Sequence, residues 1–202
     1  MNYCTQCGAK VVLRIPEGDS HLRHVCPQCG EIHYLNPKLV IGCIAEREGR
    51  ILLCRRAIEP GYGLWTLPAG FMENGESTAQ AALRETREEA CAHVAIKQLF
   101  ALVSIPHINQ VHLFYRALLV NADFGAGEES LETMLFDEHQ IPWEQVAFRS
   151  VAFCLEAYFA DRRSGAFGFH ESTLSPWLKS FSFAPTIRAR FFHLAFGVTL
   201  SV

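Results

Sequence analysis

The stretch of sequence that decides the fold is Gly70-Phe-Met-Glu-Asn-Gly-Glu76, followed after seven residues by Arg84-Glu85-Thr-Arg-Glu88-Glu89. On a helix, Glu85 lies three residues from Glu88 and four from Glu89, so the three carboxylates share one face. Like charges at this spacing repel each other unless a cation lies between them. Magnesium suits such a place because it takes a few carboxylate oxygens together with water and phosphate oxygens. Without the upstream glycine and glutamate, three glutamates would rather indicate a solvated acidic face.

Hydrophobic patterning predicts strands on both sides of this stretch and a helix within it. Ser77 and Gln80 fit a capping box at the start of a helix that runs to about Ala90. Glu48-Gly49 is a turn signal between two β-rich runs. The predicted strands are 39–45, 50–54, 64–67, 94–104 and 111–120, and a second helix is predicted at 149–163. Because strands and helices do not alternate strictly, the pattern favours an α+β fold or a mixed-sheet sandwich over a doubly wound fold.

The spacing Gly70-x5-Glu76-x7-Arg84-Glu85-x2-Glu88-Glu89 resembles the Nudix box, the signature of the Nudix hydrolases. The preceding Leu64-Trp-Thr-Leu-Pro-Ala-Gly70 is similar to the usual approach to that box. The resemblance implies an α/β/α sandwich with a mixed sheet. It also implies hydrolysis of a nucleoside diphosphate linked to another moiety, with Mg²⁺ or Mn²⁺ as the cofactor.

The resemblance also implies roles for the residues of the box. Glu76 would support the loop and the helix start. Arg84 would orient the glutamates through a salt bridge, and we place it among the residues that surround the substrate. The implied magnesium ligands are the carbonyl of Gly70 and the carboxylates of Glu85, Glu88 and Glu89, and the three glutamates are also catalytic candidates.

Two positions depart from the box. The pattern normally ends with a glycine two residues after the second paired glutamate, and Cys91 stands there. Glycine suits the left-handed backbone that ends many helices. A cysteine in that conformation costs about 1 kcal/mol, unless the last turn is altered. Thr86 also replaces a usual aliphatic residue. Since the metal ligands lie upstream, the catalytic assignment is kept.

A later acidic segment, 128–132, supplies further candidates for the general base. The reaction needs a carboxylate that takes the proton of the attacking water. Glu88 or Glu89 could do this, and Glu129 or Glu132 resembles a later glutamate seen in relatives. A polar loop without a catalytic role explains the segment equally well, because loops carry both solvating charge and function.

Two CxxC pairs precede the box, Cys4-x2-Cys7 and Cys26-x2-Cys29. Two such turns complete a tetrahedral set of thiolates, so the spacing predicts structural zinc. So short a segment cannot bury a core of its own, and bound metal would supply its folding energy. A closed four-thiolate site leaves no position for substrate. Ordinary burial is expected for the remaining cysteines, which are Cys43, Cys54, Cys91 and Cys154.

The residues after the box bear on the choice of substrate. A zinc ribbon before a Nudix domain is the arrangement of bacterial-type NADH pyrophosphatases, but residues 102–110 lack their SQPWPFPxS segment. Pro106 lies fifteen residues past Cys91, which resembles ADP-ribose pyrophosphatases. Residues 3–175 resemble plant Nudix proteins that act on FAD and ADP-ribose. We therefore expect FAD or ADP-ribose as the substrate, with AMP released.

Candidate contacts to this small-molecule nucleotide are few. Adenine and flavin rings need stacking partners, and Phe71 is one candidate, although most aromatic side chains are buried for packing. Pro106 and His107 complete the substrate-binding set.

Composition limits the alternatives. The net charge is −3, so a large basic field for nucleic acid is absent and nucleic acid is not expected as a partner. The start is no signal peptide, and no run of about 18 apolar residues occurs, so a cytoplasmic protein with no membrane contact is expected. Rival hypotheses are an NAD(H) pyrophosphatase, an enzyme that removes NAD caps from RNA, and a catalytically silent RNA- or protein-binding module.

The expected domain organisation has three parts. Residues 1–36 form the zinc ribbon, 37–175 the Nudix hydrolase domain, and 176–202 a C-terminal extension that does not resemble the family. Because Nudix relatives are often homodimers, a homodimer is one expected assembly.

Overall fold

The computed structural model describes residues 1–176, in which two β-sheets and two α-helices form. The expected extension at 176–202 lies outside the described residues, apart from Pro176. Neither α-helix in the described part of the chain is long and apolar enough to cross a lipid bilayer.

The first sheet is small, antiparallel and confined to the cysteine-rich segment. Its strands, in the order β1-β2-β3, are β1 (Val12–Arg14), β2 (Arg23–Val25) and β3 (Ile32–His33). The buried core beside it consists of Cys4, Val11 and Cys26, with Ala9 packed against them. So small a cluster stabilises little. This segment therefore fits a unit that depends on bound metal.

The second sheet has eight strands and carries the rest of the described chain. Its central path runs β10-β5-β4-β9-β8-β11, with β6 paired to β5 and β7 paired to β4. β4 pairs with β9, and β8 with β11, in parallel, and the remaining pairs are antiparallel. The strands are β4 (Lys38–Arg47), β5 (Arg50–Arg56), β6 (Trp65–Thr66), β7 (Ala69–Phe71), β8 (Val94–Ile105), β9 (Gln110–Leu119), β10 (Ser130–Phe136) and β11 (His170–Thr173).

The two helices, α1 (Thr78–Ala90) and α2 (Arg149–Ser164), cover opposite faces of this sheet. Successive strand residues point to opposite faces. Accordingly, Cys43 of β4 lies in the cluster that contains residues of α1, whereas Ile44 lies in the cluster that contains residues of α2. The mixed sheet between two helices confirms the predicted α+β sandwich.

Local sequence explains the two elements that precede the site. Glu48 and Gly49 have φ angles of 52° and 79°, which is the backbone that a tight hairpin turn requires, and they join β4 to β5. Ser77 accepts from the backbone N–H of Gln80, and the Gln80 side chain accepts from the backbone N–H of Ser77. This capping box starts α1 at the predicted residue.

Candidate active site

The acidic face of α1 lies against β7. Glu85 and Glu89 are buried, with 8% and 6% of their surface exposed, while Glu88 is exposed. The backbone N–H of Ala69 donates to Glu89 Oε2 at 3.0 Å. The helix therefore presents two of its carboxylates to the interior and one to solvent.

Arg84 connects the helix to the loop that precedes it. Its guanidinium donates to both carboxylate oxygens of Glu76, at 2.6 and 3.1 Å, and to the carbonyl of Phe71 at 3.1 Å. The same group donates to Glu85 at 2.7 Å and to Glu88 at 2.9 Å. A planar fork of N–H donors is suited to several carboxylates at once. This geometry is the one the orienting role requires, and contact of Arg84 with substrate stays a prediction.

Gly70 leaves room for the Glu85 carboxylate. Gly70 pairs with Ile41 of β4, and a β-carbon built on it would overlap the carboxylate of Glu85. Any larger residue would therefore displace either β7 or this carboxylate.

Burial shifts the two buried carboxylates of α1 toward the neutral form. The pKa of Glu89 is raised to about 7, mainly by burial and in part by the charges of Glu85 and Glu129, while the Ala69 N–H and Arg56 act to lower it. Burial also raises the pKa of Glu85, against the lowering effect of Arg84. Several carboxylates with too few cations nearby form a site whose repulsion a divalent cation would relieve.

The donor set fits magnesium, whose preferred ligands are oxygens. Within residues 1–176, the four cysteines are the one group of three or more candidate ligands whose donor atoms all lie within 4.8 Å of one another. The glutamate oxygens are spaced more widely, and Arg84 holds Glu88 Oε2. Because magnesium keeps several of its waters, ligands at this wider spacing remain compatible with it.

The two later glutamates differ in their surroundings. Glu129 is exposed, and its charge is close enough to raise the pKa of both Glu85 and Glu89. Glu132 lies in β10 and pairs with Arg55 of β5 at 3.7 Å. Of the two, Glu129 is therefore the one whose charge acts on the carboxylates of α1.

Arg56 is a residue of this site that the sequence analysis did not single out. It is buried, its guanidinium stacks over the Phe148 ring at 5.0 Å, and its charge lowers the pKa of Glu89. Its Nε donates to the carbonyl of Pro60 at 2.8 Å. The sequence feature that could have identified it is an arginine at the end of a buried strand, immediately before a loop.

The predicted substrate contacts lie in two places. Phe71 is 46% exposed, Lys38 Nζ lies 4.8 Å from its ring centre, and both line a groove of about 470 Å³ formed by residues 37–39 and 71–76. Pro106 and His107 are exposed in a short 3₁₀ helix between β8 and β9. The next residue after that helix, Asn109, accepts a hydrogen bond from the Lys38 N–H at 2.9 Å, so this turn adjoins the start of β4.

The four cysteines of the ribbon are free thiols that converge on one point. The Sγ atoms of Cys4 and Cys29 are 3.6 Å apart, and those of Cys7 and Cys26 are 3.5 Å apart. Zinc–sulfur bonds of about 2.3 Å give a tetrahedron with edges of about 3.8 Å, so the spacing fits zinc. The Cys29 N–H donates to the Cys26 sulfur and lowers the pKa of that thiol, which favours the thiolate a metal needs.

A mixed sheet between two helices, one of them an acidic helix whose Glu85 packs against Gly70, is the arrangement of the Nudix class of hydrolases, and here a four-cysteine ribbon precedes it. Residues 2–35 match the family model described as Nudix N-terminal, and residues 36–152 match the NUDIX domain. The crystal structure of a NUDIX hydrolase from Nitrosomonas europaea superimposes with a TM-score of 0.84 at 52% identity, covering 86% of this chain and 99% of that one.

Two sequence relatives extend the comparison. The chain is 30% identical over 115 residues to an ADP-ribose pyrophosphatase from Methanocaldococcus jannaschii, covering 54% of this chain and 67% of that protein. It is 31% identical over 170 residues to the NAD-capped RNA hydrolase NudC from Pseudomonas aeruginosa, covering 81% of this chain and 57% of that protein. The chain thus spans little more than half the length of the NudC protein. The chain belongs to the NUDIX hydrolase family.

Proposed function

We propose that the protein hydrolyses the pyrophosphate bond of FAD or ADP-ribose in the presence of Mg²⁺ or Mn²⁺, releasing AMP with FMN or ribose 5-phosphate. The observation that carries the reaction class is the pair of buried carboxylates, Glu85 and Glu89, set against β7 and tied to the loop by Arg84. The resemblance to ADP-ribose pyrophosphatases and the missing NADH-type segment support the choice of substrate.

Glu85, Glu88, Glu89 and the Gly70 carbonyl would hold the metal. Magnesium bound there would neutralise phosphate oxygens and make water a better nucleophile. Arg84 holds the carboxylates of Glu85 and Glu88 in place by hydrogen bonds, so little reorganisation is needed when substrate binds. Glu88, Glu89 or Glu129 would accept the proton of the attacking water.

The groove beside Phe71 supports the binding of one half of the substrate. Its volume of about 470 Å³ lies within the range of small-molecule sites. The half-exposed ring of Phe71 offers a stacking surface, and the Lys38 amine offers a charge for phosphate. The groove opens next to Gly70, so a substrate that lies in it would have its phosphates near the acidic face.

The test measures AMP release from FAD, ADP-ribose and NADH with magnesium, for the wild-type protein, Glu88→Gln and Glu17→Gln. The last is the matched control, because Glu17 is an exposed residue of the ribbon segment. Cleavage of FAD or ADP-ribose that only Glu88→Gln abolishes would support the reaction, the site and the substrate. A preference for NADH would keep the mechanism and reject the substrate. Absence of cleavage by the folded protein would reject the proposal.

The similarity to the NudC protein favours a second candidate, because it extends over 81% of this chain and therefore exceeds the Nudix domain. Hydrolysis of NAD-capped RNA in preference to free dinucleotides would support this candidate. The silent-module hypothesis predicts a different result, which is tight, salt-sensitive binding of single-stranded RNA without hydrolysis.

A further inference from the structure

The segment 124–129, here called the glycine loop, lies against the end of α1. The Gly125 N–H donates to the Ala90 carbonyl at 2.8 Å, and the Gly127 N–H donates to the Glu89 carbonyl at 3.1 Å. The last four carbonyls of a helix have no partner inside the helix. The glycine loop supplies partners for two of these carbonyls, so it acts as a cap on the helix that bears the acidic face.

Gly127 has no space for a side chain. A β-carbon built on it would overlap the carbonyl oxygen of Glu88, whereas a β-carbon on Gly125 would meet no atom within 4 Å. Neither residue is among the glycines with positive φ. A glycine is thus required at position 127 because the glycine loop lies close to the backbone of α1, and not because its own backbone has an unusual conformation.

The far end of the glycine loop is fixed as well. The Ser130 N–H donates to the Gly127 carbonyl at 3.1 Å, and the Ala57 N–H, just after β5, donates to the Glu129 carbonyl at 2.8 Å. Glu129 is therefore held between the end of α1 and the end of β5. Both anchors are backbone hydrogen bonds, which leaves the Glu129 carboxylate exposed.

We propose that Gly127 is a positioning residue, which allows the glycine loop to rest on the backbone of Glu88 and Glu89 and so fixes the Glu129 carboxylate beside the acidic face of α1. This inference rests on the proposed function, because it assigns Glu129 a part in the hydrolysis. It explains why a glycine is needed two residues before an acidic side chain.

A double-mutant cycle tests the inference, with kcat and KM measured on the substrate that the wild-type protein cleaves. Loss of a general base lowers the rate by about 100-fold or more, so we expect this effect on kcat for Glu129→Gln. Gly127→Ala should lower kcat to a similar degree with little change in KM. The double variant should be no slower than Glu129→Gln alone, because the carboxylate that Gly127 positions is already absent. Gly125→Ala adds the same methyl group in open space and should retain the wild-type kcat.

Several outcomes would overturn the inference while leaving the hydrolase intact. These are losses that multiply in the double variant, a Glu129→Gln variant with wild-type kcat, and a Gly125→Ala variant as slow as Gly127→Ala. If the wild-type protein cleaves no substrate, the proposed function fails separately. In that case, and also if Gly127→Ala does not fold, amide hydrogen exchange in the wild-type protein tests whether the glycine loop lies against α1. Slow exchange of the Gly127 amide would support the contact between the glycine loop and α1, and exchange as fast as in an open loop would overturn the inference.

Discussion

Cys91, which was expected to be buried, is exposed and ends α1 in the left-handed region, with φ of 49° and ψ of 25°. A β-carbon in this region costs about 1 kcal/mol, which glycine avoids. We therefore expect Cys91→Gly to have a free energy of unfolding about 1 kcal/mol higher than Cys91→Ala. The two variants are matched, because both lose the contact of 3.8 Å between the Cys91 sulfur and the Ala126 carbonyl. Urea unfolding measures the difference, and equal stabilities would show that the backbone relaxes around the side chain.

His112 makes the stability of the fold depend on pH. It is buried, Nε2 lies 2.9 Å from Gln110 Oε1, and Nδ1 lies 3.0 Å from the Ser150 hydroxyl. Burial lowers the pKa of His112 from 6.5 to about 4. Between these two values the unfolded chain binds more protons than the folded protein, so stability falls as pH falls. The contribution is fully present above about pH 6.5 and is lost progressively toward pH 4.

The expected size follows from 1.36 kcal/mol for each pKa unit. Between pH 7 and pH 5, the wild-type protein should lose about 2 kcal/mol more free energy of unfolding than His112→Gln, which retains a polar side chain and does not titrate. Urea unfolding of both proteins at the two pH values makes the comparison, and the other titrating groups cancel between them. Equal losses in the two proteins would mean that the pKa of His112 is the same in the folded and unfolded states, so that His112 is protonated in the folded protein at pH 5.

For single residues, the sequence predicted the positions that depend on one element alone. The i, i+3 and i+4 spacing of Glu85, Glu88 and Glu89 fixes their positions on α1 whatever packs against it. The placement of Arg56 and Gly127 escaped prediction for the opposite reason. Their nearness to the site arises because β5 and the glycine loop, which are far apart in sequence, meet at the end of α1.

Among the elements, α1 depends on its capping box. The Ser77 hydroxyl accepts from the Gln80 N–H at 3.3 Å, and the Gln80 side chain accepts from the Ser77 N–H at 2.8 Å. Ser77→Ala removes the first bond and should lower the free energy of unfolding by about 1 kcal/mol. Ser77→Asp restores an acceptor oxygen and is the control. Thermal unfolding of the three proteins checks this, and an alanine variant as stable as the wild type would mean that solvent caps the N–H equally well.

Most long elements were predictable and most short ones were not; the exceptions are the seven-residue β10, which was not predicted as a strand, and the two-residue β6, which was. The hairpin of β4 and β5, both helices, and strands β8 and β9 have enough residues to show a hydrophobic period, and the structure places them within a few residues of the prediction. Strands β7, β11 and β1–β3 have two to four residues each, which is too few for a period. Such strands form because a neighbouring strand offers hydrogen bonds, and that information does not lie in the local sequence.

At the scale of the whole molecule, the two sheets differ in what stabilises them. The eight-stranded sheet has a large apolar cluster on each face, built with α2 on one side and α1 on the other. The ribbon has one small apolar cluster of three buried residues, of which two are zinc-ligand candidates. Large residues of the ribbon remain exposed, including Leu13 and Leu22. Loss of metal should therefore affect the two parts unequally.

We expect removal of zinc to unfold the ribbon and leave the Nudix sheet folded. Structural zinc contributes on the order of 10 kcal/mol to small domains, far more than the small apolar cluster of the ribbon supplies. Hydrogen exchange with mass spectrometry, with and without a zinc-selective chelator, should show residues 12–33 losing their protection while β4 and β9 keep theirs. Cys7→Ser should reproduce the result without chelator, and Cys91→Ser, another exposed cysteine, should not. If the ribbon keeps its protection after zinc is removed, packing of the chain stabilises it without metal. If β4 loses protection as well, the two sheets fold as one unit.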